Sequence, residues 1–348
     1  MKDWLTVAES SEPSVLVTVA MVEGSGPREP GAKMLVMRGV QFDTIGGGHL
    51  EMQACEIARA MLGADGRATQ SQARAQTQLQ RFALGPGLGQ CCGGVVYLVF
   101  EYVDAHLLAV LDSLRQRRQQ DSWRLSAIDG PSMTALSDAD GRTLSGAAID
   151  TPDYQADRRT RVIRDPQGRR WLLDPCLAPR AHLLLFGAGH VGAAIVRALA
   201  GLPCTVTWID ERDAMFPSPI PDNVTVEASD TPEALVDAAR PGSSYLVMTH
   251  SHALDQRLSE AILARDRVGW FGLIGSKTKR AQFEHRLHAR GLPAERIAAM
   301  VCPVGVAGIS GKQPAVIAAA VCAQLLMVWE AQQAAAASPL RLVASASA

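Results

Sequence analysis

The stretch that most restricts what this chain can become is "HLLLFGAGHVGAAIVRALAGLPCTVTWID", residues 182–210. The apolar run 183–186 reads as a strand buried on both faces. Gly187-Ala188-Gly189-His190-Val191-Gly192 then fits G-x-G-x-x-G and opens a helix, and a second strand, "TVTWID", ends on Asp210, 21 residues beyond Gly189. Each piece has a physical task. Gly187 makes the turn, Gly189 lets a pyrophosphate approach the backbone, and Gly192 lets the helix pack on the strand. The helix N-terminus holds phosphates, with His190 beside it, and Asp210 bonds a ribose hydroxyl.

The alternation continues. Strands are predicted at 224–229, 243–250 and 270–275, with helices "TPEALVDAAR", "ALDQRLSEAILARD" and "SKTKRAQFEHRLHARG" between and after them and a long apolar helix over 314–330. Residues 181–330 therefore read as one Rossmann-like, doubly wound α/β domain with a parallel sheet. Residues 1–103 read as an α+β unit with strands at 15–24, 32–38, 77–84 and 95–102 and a helix after "IGGGH". Residues 104–180, with a helix and short strands such as "WRLSAI" and "TRVIRD", are an extension or a bridge, and the alanine-rich 331–348 is a flexible tail.

Length and charge narrow the function. A chain of 348 residues that is 47% hydrophobic can bury more than one core. With 34 basic and 35 acidic residues and no long basic run, nucleic acid is not an expected partner. No apolar run looks long enough to cross a bilayer and "MKDWLTVAESSEP" is not a signal peptide, so no membrane role and a cytoplasmic location are expected. Seven scattered cysteines do not make a disulfide framework; in a reducing compartment they are thiols.

Two of those thiols stand out. In "LGPGLGQCCGG", residues 84–94, Cys91 and Cys92 sit among five glycines. Structural zinc uses spaced pairs rather than neighbours. A turn through Gly93 and Gly94 can aim backbone N–H groups at a sulfur and leave it accessible to something large. The bland alternative is a small apolar plug in a tight turn. Beside this loop, "GSGPREPGAKMLV" (24–36) and "IGGGHLE" (45–51) gather Lys33, Gly46, Gly47, Gly48 and His49 into a pattern suited to an anion, with ordinary hairpin turns as the alternative. In the second half, "THSHALD" places His250 and His252 after a parallel strand, where a ligand crevice forms. In "GSKTKR", Lys277 and its neighbours put positive charge at a helix start, a conflict that an anionic ligand resolves.

Together these motifs resemble the XdhC/CoxI family, accessory proteins of molybdenum hydroxylases, in its xanthine-dehydrogenase branch. "GSGPREPGAKMLV", "IGGGHLE" and "GQCCGG" resemble the family's N-terminal domain; "LLLFGAGHVG", "THSHALD", "LIGSKTKR" and "CPVGVAGISGKQPAVIAAAVCAQLL" resemble its Rossmann domain. The resemblance implies a chaperone, not an enzyme. It binds the molybdenum cofactor (Mo-molybdopterin), holds it during sulfuration by a cysteine desulfurase and delivers it to apo-xanthine dehydrogenase, working as a homodimer. The family's C-G-G falls on Cys92, and the closer branch brings in Cys91 and Gln90. Soft thiolates at Cys91 and Cys92 suit molybdenum, which the pterin already binds through sulfur. On this reading the cofactor lies between the two domains, while the Rossmann motif holds the pterin phosphate, NAD(P) or another nucleotide. Two rivals stay open. One is an NAD(P)-dependent oxidoreductase, with Asp210 selecting NAD and His250 or His252 as acid/base. The other is a zinc hydrolase using "HSH".

Overall fold

The computed structural model describes residues 3–8, 12–63, 77–85, 93–147, 149 and 158–337. They divide into two units, Met1–Ala178 and Pro179–Ala348.

The first unit runs α1 (Trp4–Val7), β1 (Ser14–Glu23), β2 (Lys33–Met37), β3 (Gln41–Asp43), α2 (Gly48–Leu62), β4 (Gln78–Ala83), β5 (Val95–Tyr102) and α3 (Ala105–Gln116). It continues through β6 (Ser122–Ala127), β7 (Thr134–Ser137), β8 (Thr143–Gly146), β9 (Arg161–Arg164) and β10 (Arg170–Cys176). Two five-stranded antiparallel sheets result, ordered β3-β2-β1-β5-β4 and β8-β7-β6-β10-β9. The run "SVLVTVA" of β1 is buried at every position because both faces of its sheet are covered. Val15, Val17 and Val19 face Leu50, Ala54 and Ala58 of α2. Leu16 packs with Leu107, Val110 and Leu111 of α3, and Ala20 with Leu172 of β10. The residues read as an extension or a bridge thus supply a helix and a whole second sheet.

Charge crosses between those sheets. Arg124 of β6 donates to Glu101 of β5 at 2.8 and 2.9 Å and to Asp174 of β10 at 3.2 Å, and Asp174 also takes the Lys33 ammonium at 3.0 Å. Burial alone would raise the Asp174 pKa, but the Lys33 and Arg124 charges outweigh it and hold the carboxyl below its ordinary value. Burial, reinforced by the Asp174 charge, pushes the Cys176 thiol up to about 12, so it stays protonated.

The second unit is the predicted α/β domain. Its elements are β11 (Ala181–Phe186), α4 (His190–Leu199), β12 (Cys204–Asp210), β13 (Val224–Ala228), α5 (Pro232–Ala238), β14 (Ser244–Val247) and α6 (His252–Ala264). After them come β15 (Trp270–Leu273), α7 (Lys277–Ala289), α8 (Ala294–Ala298), β16 (Met300–Val301) and α9 (Pro314–Ala337). The sheet is parallel throughout, in the order β13-β12-β11-β14-β15-β16. Helices α4 and α9 cover one face, α6, α7 and α8 the other. Building outward from β11 in both directions puts a topological switch point between β11 and β14.

One expectation needs correction. Helix α9 runs to Ala337, beyond the predicted end at 330, and is long and apolar enough to cross a membrane by length and composition. Its role in this unit is packing. Ala318, Val321, Cys322, Leu325 and Trp329 are buried against α4 and the sheet, and the Trp329 indole donates to Ser244 Oγ at 3.0 Å.

Candidate functional site

In the first unit three glycine loops meet. Register shifts in β1 between Val19 and Met21, a bulge that reshapes the strand just before its end at Glu23. A Cβ on Gly94 would lie 2.2 Å from the Ser25 carbonyl oxygen and 2.6 Å from that of Glu23, so only glycine lets the chain after the cysteines lie against the end of β1. The amide of Leu84 donates to the Gly94 carbonyl at 2.8 Å and closes the loop at its base. On the other side, a Cβ on Gly46 would meet Pro27 Cβ at 2.5 Å, and Arg28 donates to the Thr44 carbonyl at 3.3 Å. The "GSGPREPG" segment therefore lies between the base of the cysteine loop and the triple glycine. Gln90, Cys91 and Cys92 lie outside the described residues. Gly93, next to them, is exposed, and a Cβ there would meet none of the described residues within 4 Å.

The triple glycine is a nest already in use. Gly46, Gly47 and Gly48 have φ of +120°, +74° and +65°, which side chains rarely adopt, and Gly47 caps α2 with no side-chain bond of its own. The Glu51 carboxylate turns back onto the loop. It accepts from the amides of Ile45 at 3.2 Å and Gly47 at 3.0 Å, from the Thr44 hydroxyl, and from Gln41 Nε2 at 2.6 Å. An acid in the first helical turn also suits the dipole. His49 is half-buried and lies 3.2 Å from Gln53. Lys33 is not part of this cradle: its ammonium goes to Asp174 and, at 2.8 Å, to the Gly31 carbonyl.

In the second unit the predicted glycine pattern builds a turn and a crevice. A Cβ on Gly187 would lie 2.4 Å from the Met248 carbonyl oxygen, and one on Gly192 would lie 2.2 Å from that of Gly187. Those two glycines are steric necessities of strand and helix packing. Gly189 differs: it caps α4 without a side-chain bond, and a Cβ there would meet nothing within 4 Å. A shallow crevice, open to solvent, lies at the carboxyl ends of β11, β12 and β14. Phe186, Gly187, Ile209, Asp210, Glu211, Pro232, Thr249, His250 and Leu254 line it, at the switch point.

Asp210 is on that wall, but its carboxylate is occupied. Oδ2 accepts from the Ala188 amide at 2.7 Å and from Arg212 Nη2 at 3.1 Å; Oδ1 accepts from the Arg212 amide at 3.0 Å and from Nε at 2.9 Å. Burial raises the Asp210 pKa, and these bonds more than offset it, leaving the group below its ordinary value.

His250 and His252 are exposed, at the end of β14 and the start of α6. Asp255, three residues past His252 and able in principle to add an oxygen ligand, accepts from the Thr249 amide at 3.0 Å and hydroxyl at 2.7 Å and pairs with Lys279 at 2.7 Å. Among the described residues no three His, Cys, Asp or Glu side chains are placed to hold a metal ion. The charge conflict at the start of α7 is settled internally: Ser276 caps the helix and Asp255 takes Lys279, leaving Lys277 exposed. Sequence reasoning singled out Glu51, Asp255 and Lys279 but did not show that Glu51 turns back onto the glycines or that Asp255 pairs with Lys279, and it missed Arg212. The only signals of these contacts were an acid in a first helical turn and the spacing D-x-R.

With this geometry in hand, comparison with known proteins is specific. The XdhC and CoxI family matches residues 7–72, and the XdhC Rossmann domain matches residues 183–325. The chain belongs to the XdhC and CoxI family. The two matched stretches contain the triple glycine and the switch-point crevice of this XdhC-type chain. It is 32% identical over 155 residues to the uncharacterized protein YqeB of Escherichia coli (strain K12), covering 43% of this chain and 27% of that one. It is 23% identical over 287 residues to a Bacillus subtilis (strain 168) protein described as a probable xanthine dehydrogenase subunit, covering 78% and 83%. The chain thus spans about a quarter of the first relative and most of the second. A solved structure described as a xanthine dehydrogenase from Bacillus halodurans shares the fold, with a TM-score of 0.70 at 22% identity over 95% of this chain and 96% of that one.

Proposed function

We propose that this XdhC-type chain is a maturation factor for xanthine dehydrogenase that binds the molybdenum cofactor, holds it while a sulfur is installed, and passes it to the apoenzyme. Family membership supports the maturation role. The observation that carries the cofactor reading is the convergence of the glycine segments, with Gly94 fixing the chain after the cysteines against β1 and no described residue crowding Gly93. The donor set fits the group: Cys91 and Cys92 offer soft thiolates to a metal already bound by sulfur. When bound, the cofactor supplies the molybdenum centre that the client enzyme uses. This chain's residues hold it, with Cys91 or Cys92 toward the metal and the Gly93 backbone permitting approach. A cysteine desulfurase as sulfur donor, a homodimer and a cytoplasmic location belong to the same proposal.

The test is the content of the purified protein. Pterin and molybdenum, measured by mass spectrometry, are expected in the wild type and absent from the double variant Cys91→Ala/Cys92→Ala at unchanged melting temperature. Equal molybdenum in both proteins would remove the thiols from the proposal.

A further inference from the structure

The crevice of the parallel-sheet unit carries an inference independent of the molybdenum reading. In a dinucleotide site of the familiar kind, the acid at the end of the second strand accepts from a ribose diol. A carboxylate has about four acceptor sites. Asp210 spends all four on Ala188 N, Arg212 N, Arg212 Nε and Arg212 Nη2. It has none left for a sugar hydroxyl. What the arrangement accomplishes is to fix Arg212. Of the five N–H groups of a guanidinium, Nε and one on Nη2 go to Asp210; the remaining three meet no acceptor among the described residues. The Arg212 side chain is 42% exposed, so they are open to solvent, on a side chain tied to the crevice through Asp210. A planar fork held from behind by a carboxylate suits two oxygens of a phosphate. The walls beside it, Ile209, Pro232 and Leu254, are apolar and suit a flat ring. Glu211, exposed on the same wall, opposes an anion by charge, so the phosphate must be placed by Arg212 rather than by a diffuse field.

We infer that this crevice binds a heterocycle carrying a phosphomonoester, that Arg212 reads the phosphate, and that Asp210 is a positioning residue rather than a ribose ligand. The chemistry has two sources, a nucleotide with a phosphate on its ribose and a phosphorylated pterin. Two ligand pairs separate them: NADP⁺ against NAD⁺, and 6-hydroxymethylpterin phosphate against 6-hydroxymethylpterin.

Calorimetry on the full chain tests the inference. In one of the pairs the added phosphate is expected to tighten binding about tenfold or more, as charge-assisted fork bonds do. Arg212→Gln should erase that difference while the unphosphorylated partner binds as before. Asp210→Asn, checked for folding by its melting temperature, should shrink the difference, and Glu211→Gln should keep or increase it. Equal affinity within both pairs, no binding of any of the four ligands, or NAD⁺ binding that Glu211→Gln abolishes would each overturn the inference. None of these readouts involves molybdenum, so failure here leaves the proposed function untouched, and the reverse holds.

Discussion

At the scale of single residues the glycines divide into two classes that the sequence alone cannot separate. Gly94 and Gly192 have no room: an added methyl would press on carbonyl oxygens at 2.2 Å. Gly94→Ala and Gly192→Ala should each destabilise their unit by about 1–3 kcal/mol, the usual cost of overpacking, visible as a lower melting temperature. At Gly93 and Gly189 no described residue would crowd a Cβ, and neither has a positive φ. Gly93→Ala and Gly189→Ala should therefore leave the melting temperature nearly unchanged. If the cofactor approaches at Gly93, molybdenum content falls in the first of these variants without any loss of stability. A Gly93→Ala protein that keeps its molybdenum would place the cofactor elsewhere. G-x-G-x-x-G correctly announced a turn, but only the folded geometry separates Gly187 and Gly192, where a Cβ would clash, from Gly189, where it would not.

At the scale of elements, most strands were legible: β1, β5 and β11 as nearly unbroken apolar runs, β12 by its alternation of Thr205 and Thr207 with buried Val206 and Trp208, and even the little-buried β9 and β13 by their β-branched residues. The strands that escaped notice were hidden for physical reasons. β10 carries Asp174 and Pro175, which read as turn residues, while β16 is two residues long. The ion pair of Lys33 was hidden for a related reason. Its partner, Asp174, is far along the sequence, and only the pairing of two sheets brings them to 3.0 Å. Asp174→Asn leaves the buried Lys33 ammonium without its carboxylate and Arg124 with Glu101 alone. The expected loss is about 3–5 kcal/mol, the range for breaking a buried pair from one side, measured by chemical denaturation. A loss below about 1 kcal/mol, the scale of an exposed pair, would mean that the charges are not sequestered as described.

At the scale of the whole molecule, the two units should respond to acid in different windows. Burial, with the nearby Arg240 charge, lowers His182 from 6.5 to about 4. Between those values the unfolded chain binds the proton and the folded one does not, so the parallel-sheet unit loses stability as pH falls from 6.5 toward 4. Asp174 acts lower: its contribution is present above the unfolded value of 3.8 and disappears as pH falls through its depressed folded value. His182→Asn should flatten the upper window, followed by denaturant midpoints at successive pH values; an unaltered slope would assign that window to other groups. The order of motifs along the chain and the family were legible from the start, whereas the occupants of the anion-suited loops were not, because Glu51 and Arg212 act through folded geometry. The carboxylate of Glu51 has its own consequence. A helix end that brings a resident counter-ion offers a visiting phosphate no seat until that tenant is evicted. Any polyanion the protein carries must either dislodge Glu51 or find its positive charge at another address.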